Sequence, residues 1–174
     1  MAKGNRGLQE PTKLKTVVSD TGLFQVIIEN TQRQPQQIRL RPRSADFLVE
    51  KGTAGGHGGF MPRTLADDGD PLDVLLLMDE PAFPGTAVQA RLIGVIEGEQ
   101  VDGKKRIRND RIVAVANANH MYVDIKKLDD LPKRFVKELE EFFVSYHRLE
   151  GKEYRLLGCR SARTAQKLIE KASK

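Results

Sequence analysis

The chain has 174 residues, of which 39% are hydrophobic and 30% are charged, a composition that is typical of one globular domain and excludes a disordered or collagen-like chain. The longest unbroken apolar run covers only residues 74–78, far fewer than the roughly 20 residues that cross a membrane, and the single cysteine excludes an internal disulfide. The net charge of +5 favours a solvated basic surface, an anionic substrate or a nucleic acid.

Residues 1–22 are polar and show no periodicity, so we predict a flexible N-terminal arm followed by a single domain over residues 23–174. The first 20 residues lack the apolar stretch of a secretory signal, and we expect a cytoplasmic location. Apolar and polar residues alternate from Phe24, which predicts a strand. Ile38 and Leu40 predict a partner strand, and residues 47–50 predict a third.

Glycine-rich residues 52–59 predict a loop, because so many glycines destabilise regular structure. Asp102-Gly103 predicts a hairpin turn with positive φ at both positions. The remaining apolar runs of the middle of the chain predict strands over residues 72–78, 86–96 and 111–116, with a proline-rich turn at residues 80–85.

The C-terminal part changes to helical periodicity. Pro132 suits the first turn of a helix, apolar residues then recur at helical spacing to Leu149, and Gly151 is a plausible left-handed cap. A last strand over residues 153–158 and a second helix capped by Ser161 follow. Strands first and helices last predict an α+β domain, with a small barrel rather than a parallel sheet.

The segment DDGDPLDVLLL, residues 67–77, carries three acids at the mouth of a buried strand: Asp68, Asp70 and Asp73. Like charges at this spacing repel one another unless a cation offsets them. Oxygen ligands select hard cations such as Mg²⁺, and a pair of such ions can activate a water for attack at phosphorus. Read alone, the segment is equally compatible with an ordinary acidic turn.

The run Asp68-Gly69-Asp70-Pro71-Leu72-Asp73-Val74 resembles the signature of the soluble inorganic pyrophosphatases of family I. The surrounding residues 60–85, the strand-like segments 90–97 and 111–116, and the helical segment 124–152 resemble the same family. The similarity extends over roughly residues 23–172. It identifies the chain as a divergent member of that family.

The resemblance implies that Asp68, Asp70 and Asp73 bind two or more Mg²⁺ ions and that Asp70 helps to activate the attacking water. It also implies pyrophosphate contacts for the residues that match the family's cavity positions, which are Glu29, Tyr146 and Lys152. The family fold is a small β-barrel of OB type with two C-terminal helices packed on its outside. Family members are cytoplasmic homo-oligomers, so the resemblance implies a hexamer or a trimer.

The phosphate-binding half departs from the family pattern. Gly58 stands where the family has a phosphate-contacting tyrosine, and Ile38 and Asp46 stand where it has cations. The family's Asp-x-Lys run is replaced by Asn109-Asp110-Arg111. We expect Asp110 to supply the metal-binding carboxylate after a one-residue slip and Arg111 to replace the lysine, with the basic hairpin residues 104–108 near the entrance of the cavity.

Two other functions stay open at this point. The space left by the missing tyrosine at Gly58 could admit another phosphoanhydride, such as a nucleoside polyphosphate. A basic barrel without catalytic activity could instead bind an anion or single-stranded nucleic acid. The absence of tryptophan and the few other aromatic residues argue against nucleic acid.

Overall fold

A computed structural model describes residues 14–18, 22–29, 57–79, 82–149 and 151–173, apart from the side chains of Val18, Asp102 and Leu149. The strands are β1 (Val17–Val18), β2 (Leu23–Ile28), β3 (His57–Phe60), β4 (Asp73–Leu77), β5 (Ala87–Asp102), β6 (Lys105–Arg108), β7 (Arg111–Ala116) and β8 (Glu153–Ser161). The helices are α1 (Lys133–Leu149) and α2 (Ala162–Ala172), and a short 3-10 turn spans Leu128–Asp130. The strands predicted near Ile38 and over residues 47–50 lie outside the described residues.

The strands form one mixed sheet in the order β1-β2-β3-β4-β7-β5-β6, with β8 paired to β5. Strand β2 pairs with β3 and also with β5, so the pairings β2–β3–β4–β7–β5–β2 form a ring. The long β5 makes this possible because different parts of it pair with β2, β7, β6 and β8. Strands β4 and β7 are parallel, with Asp73 opposite Arg111 and Leu75 opposite Val113.

Alternate residues of β4 and β7 enter two different cores, as expected for extended strands buried on both faces. One face carries the buried side chains Val74, Leu76, Ile112 and Ala114 and packs on Ala165 and Ile169 of α2. The opposite face carries Leu75, Leu77, Val113 and Val115 and packs on Leu139 and Phe143 of α1. We call this second surface the α1 face.

The two helices therefore contact opposite faces of the sheet, whereas the sequence predicted both on the outside of a barrel. The predicted first helix is confirmed over Lys133–Leu149, and Gly151 ends it with φ 75°, as a left-handed cap. Within the described residues, no helix combines the length and the apolar character that crossing a membrane requires.

Three local predictions need correction. Val17 and Val18, placed in the arm, form β1 and pair with β2. His57–Phe60, placed mostly in the glycine loop, forms β3, where a Cβ on Gly59 would lie 2.5 Å from the Ile27 carbonyl oxygen. Glycine permits this close approach of two strands. The hairpin turn falls at Gly103 and Lys104, one residue later than predicted, and Arg63 is the sole described non-glycine residue with positive φ.

Candidate active site

The acidic loop before β4 has a defined backbone path. Gly69 adopts φ 95°, and the Ala66 amide donates to the Asp70 carbonyl at 2.7 Å. The Asp70 amide in turn donates to Oδ1 of Asp68 at 3.1 Å. Glycine is required at the first of these positions because other residues rarely adopt that φ. The carboxyl groups of Asp68 and Asp70 are exposed on this loop.

Two hydrogen bonds fix the backbone directly before β4, where the acidic loop ends. Buried Thr64 accepts a hydrogen bond from the Leu72 amide at 2.9 Å, and the Leu72 carbonyl accepts one from the Met61 amide at 2.9 Å. Leu72 itself is buried. These contacts fix the strand register, so the next residue, Asp73, projects from the α1 face.

Asp73 forms an ion pair with Arg111, the residue opposite it on β7. The Arg111 guanidinium also donates to Oδ1 of Asn109, and it lies over the Phe143 ring at 5.7 Å from the centroid. The Arg111 side chain is only 12% exposed, compared with 37% for Asp73. The pair thus lies at the edge of the core beside α1, with the carboxylate toward solvent.

Burial raises the pKa of the Asp73 carboxyl above its usual range, while Arg111 acts in the opposite direction. The nearby carboxylates of Asp68, Glu29 and Asp70 raise that pKa further, because like charges disfavour ionisation. The carboxylates of Asp68, Asp70 and Glu29 thus act electrostatically on Asp73 from two other parts of the chain, the acidic loop and the residue after β2.

This carboxylate region fits a hard divalent cation by its chemistry. Its donors are all oxygens, and it carries more negative charge than the adjacent arginine offsets. Within the described ranges, no three aspartate, glutamate, histidine or cysteine side chains are gathered closely enough to hold a metal as they stand. Arg111 is the group that contacts Asp73.

The structure does not bring Asp110 to this region, and the predicted slip is wrong. Successive residues of an extended strand point to opposite faces, so Asp110 faces away when Arg111 lies on the α1 face. Its carboxylate accepts hydrogen bonds from the Gly98 amide at 3.0 Å and from Arg108 at 2.7 Å. It lines a cavity of about 90 Å³ together with Lys171 and other residues on the α2 side.

Asn109 is the residue that the sequence reasoning missed. Its side chain shares the α1 face with Arg111 and accepts a hydrogen bond from it. Strict alternation along the start of β7 was the signal that could have identified it, because residues two apart lie on the same face.

A set of aromatic contacts connects Asn109 back to Arg111. The Asn109 carbonyl accepts a hydrogen bond from the Tyr154 hydroxyl at 2.8 Å, and burial raises the pKa of Tyr154 to about 12. The Tyr154 ring stacks on buried His147 at 4.3 Å between centroids. His147 Nδ1 lies 2.8 Å from the carbonyl oxygen of Phe143, whose ring underlies Arg111. These contacts restrict where the guanidinium can move.

The other predicted substrate contacts lie on α1 and in the turn that follows it. Tyr146 lies on the last turns of α1, three residues after Phe143, and its ring stacks on Phe142 at 6.1 Å between centroids. Lys152 is exposed in the turn that follows α1, where its amide donates to the His147 carbonyl at 2.9 Å. Their contacts with a substrate stay predictions.

The structure describes some of the positions at which the sequence departs from the family pattern. Ile38 and Asp46 lie outside the described residues. Gly58 pairs with Leu75 across β3 and β4, and among the described residues a Cβ there would meet only the Glu29 carbonyl oxygen, at 4.0 Å. Two of the four cations of the basic hairpin form ion pairs: Arg106 pairs with Glu99 at 3.5 Å, and Arg108 pairs with Glu97 and Asp110. Lys104 and Lys105 are exposed.

Comparisons with known proteins agree with this architecture. The family model described as inorganic pyrophosphatase matches residues 27–174. The inorganic pyrophosphatase of Nostoc sp. is 40% identical over 116 residues, which are 67% of this chain and 66% of that protein, just under two thirds of its length.

Two solved structures extend the comparison. An inorganic pyrophosphatase from Coxiella burnetii superposes with a TM-score of 0.61 at 32% identity, covering 67% of this chain and 69% of that chain. One from Neisseria gonorrhoeae gives a TM-score of 0.69 at 29% identity, covering 93% of this chain and 95% of that chain. The family model alone spans most of the sequence. The chain therefore belongs to the inorganic pyrophosphatase family.

Proposed function

We propose that the chain hydrolyses inorganic pyrophosphate to two phosphates with two or more Mg²⁺ ions. One observation carries the proposal: Asp73, paired with Arg111, lies among the carboxylates of Asp68, Asp70 and Glu29 at the edge of the α1 face. Such a region combines oxygen donors for hard cations with a guanidinium for a phosphate.

Pyrophosphate is small and highly charged, so its hydrolysis depends mainly on positioning and charge stabilisation. Asp68, Asp70 and Asp73 are the residues that would hold the ions. Such ions would lower the pKa of an attacking water and offset phosphate charge. Asp70 would take a proton from the water that attacks phosphorus, so that a new P–O bond forms as the bridging P–O bond breaks and the second phosphate leaves. The Arg111 guanidinium would bind two oxygens of one phosphate.

The same proposal covers the type of barrel, the cellular location and the oligomeric state. The ring of strand pairings supports a barrel of OB type as the scaffold. A cytoplasmic homo-oligomer, either a hexamer or a trimer, follows from the family resemblance, and light scattering on the purified chain tests its size.

The decisive experiment measures phosphate release from pyrophosphate with Mg²⁺, and with EDTA in its place. We expect turnover only with the metal, and loss of turnover in Asp73→Asn. The room beside Gly58 favours one second candidate, a larger phosphoanhydride. A panel of nucleoside triphosphates and tripolyphosphate, run beside pyrophosphate, distinguishes the two by their kcat/KM values.

A further inference from the structure

The Arg111 side chain is fixed by three contacts rather than reaching freely into solvent. It pairs with Asp73, donates to the Asn109 side chain and covers the Phe143 ring. Only 12% of the side chain is exposed. A guanidinium that is held in this way keeps its place without a substrate present.

The charge around Asp73 explains why a cation is needed there. Asp73 is partly desolvated and has the carboxylates of Asp68, Glu29 and Asp70 nearby. Repulsion between them is strengthened where water is displaced, because the effective dielectric constant falls. Among the groups that act on the Asp73 charge, Arg111 is the one that opposes this repulsion.

The same contact has a cost for metal binding. Arg111 donates to Oδ2 of Asp73, and a divalent ion on that carboxylate would lie within a few ångströms of the guanidinium. Two cations at such a distance repel each other, and the repulsion is stronger where water is displaced. The guanidinium and the metal therefore compete for one carboxylate.

We infer that Arg111 is a resident counter-ion of the carboxylate region. It lowers the affinity of that region for divalent metal until the ion pair with Asp73 opens. The inference rests on the proposed function for the identity of the ligand. Asn109 and Phe143 act as positioning residues, because they hold the released guanidinium on the α1 face, where it can meet a phosphate. Arg111 thus sets metal affinity as well as binding substrate.

Titration with Mn²⁺, followed by calorimetry and by the EPR signal of the free ion, tests this without turnover. We expect Arg111→Gln to bind Mn²⁺ about tenfold more tightly than the parent, and Arg111→Lys, which keeps the charge, to stay within threefold of it. Arg111→Met keeps more of the apolar packing on Phe143 and repeats the test if Arg111→Gln folds poorly. Adding Asp73→Asn to Arg111→Gln should abolish the gain and so locate the ion.

The matched control is Arg134→Gln, which also removes one positive charge. Arg134 is exposed on α1 and pairs with Glu138 at 2.9 Å, and salt screens such surface charges over about 8 Å. We expect a change below twofold. Equal or weaker Mn²⁺ affinity in both neutral Arg111 variants, with pyrophosphate hydrolysis intact in the parent, would overturn the inference and leave the proposed function standing. A parent that neither binds Mn²⁺ nor hydrolyses pyrophosphate would overturn both.

Discussion

Asp73 and Arg111 lie directly opposite each other on adjacent parallel strands, although 38 residues separate them in the chain. Their ion pair therefore depends on the register between β4 and β7. A slip of one residue would turn Arg111 toward the α2 side and bring Asp110 to the α1 face in its place. The site is thus specified by sheet geometry more than by the local acidic motif.

Asp70→Asn should lower kcat for pyrophosphate at least a hundredfold while leaving the melting temperature unchanged. A general base typically contributes a factor of 10² to 10⁴, and the exposed Asp70 side chain supports little of the fold. The matched control is Asp67→Asn in the same loop, whose carboxylate lies 3.7 Å from Lys171. An Asp70→Asn rate equal to that of this control would show that the role is misassigned.

Arg111→Ala should reduce kcat/KM at least tenfold, which corresponds to about 1.4 kcal/mol of transition-state stabilisation. The variant loses the guanidinium group, which can bind two phosphate oxygens at once. Lys105→Ala should change the rate less and mainly its salt dependence, because Lys105 is an exposed charge on the hairpin. Steady-state kinetics at two ionic strengths measure both. Parent-like kinetics in Arg111→Ala would contradict the phosphate role.

Gly98→Ala should destabilise the fold by about 1–3 kcal/mol, the usual cost of overpacking. A Cβ at this position would lie 2.1 Å from the Tyr154 hydroxyl oxygen, and that hydroxyl donates a hydrogen bond to the Asn109 carbonyl. Urea unfolding measures the loss. Gly58→Ala is the control, because a Cβ there meets, within the part of the chain that the structure describes, only a carbonyl oxygen at 4.0 Å, and we expect a change within about 0.5 kcal/mol. Equal losses in the two variants would refute the packing argument.

Asp79 should stabilise the fold in a pH-dependent way. Hydrogen bonds from the amides of His120, at 2.7 Å, and Met121, at 3.2 Å, hold its pKa below the usual range. The stabilisation is complete above the pKa of the unfolded chain and is lost as pH falls through the lower folded pKa. Asp79→Asn should thus unfold at lower urea than the parent at pH 7, and the difference should shrink toward pH 3. Asp124→Asn, at an exposed position of the loop that carries His120 and Met121, is the matched control for the loss of one carboxylate.

Cys159 should react slowly with iodoacetamide at pH 8, at least tenfold more slowly than free cysteine. Burial, and then the hydrogen bond from Sγ to Glu140 at 3.3 Å, raise the pKa of the thiol to about 12, so little thiolate forms. Mass spectrometry of the alkylated chain follows the rate. Glu140→Gln should accelerate it, and a parent rate like that of free cysteine would contradict this environment.

Much of the fold was predictable where burial sets a clear period. Strand β7 has the predicted bounds, and β4 and α1 begin within one residue of the predicted positions. The end of the glycine-rich segment, residues 57–59, was misassigned because propensity counts glycine against a strand. His57–Phe60 nevertheless pairs with β4 along its whole length, since tertiary contacts override a weak local preference.

The site was predictable only in its acidic half. Asp68, Asp70 and Asp73 are close in sequence, so a short loop is enough to bring their charges near one another. The partner of Asp73 comes from a distant strand, and its face depends on a register that one sequence does not reveal. The slip to Asp110 failed for that reason, and the same reasoning passed over Asn109.

Among the described strands, β4 and β7 form the one parallel pair, and this pairing bears on how the protein is synthesised. The acidic loop leaves the ribosome before Arg111, and the chain must run along β5 and return along β6 before β7 can dock. Closing so long a connection is slow relative to forming a hairpin. In the nascent chain the carboxylates therefore stay hydrated and mutually repelling. The ion pair between Asp73 and Arg111 forms only once the central strands have assembled.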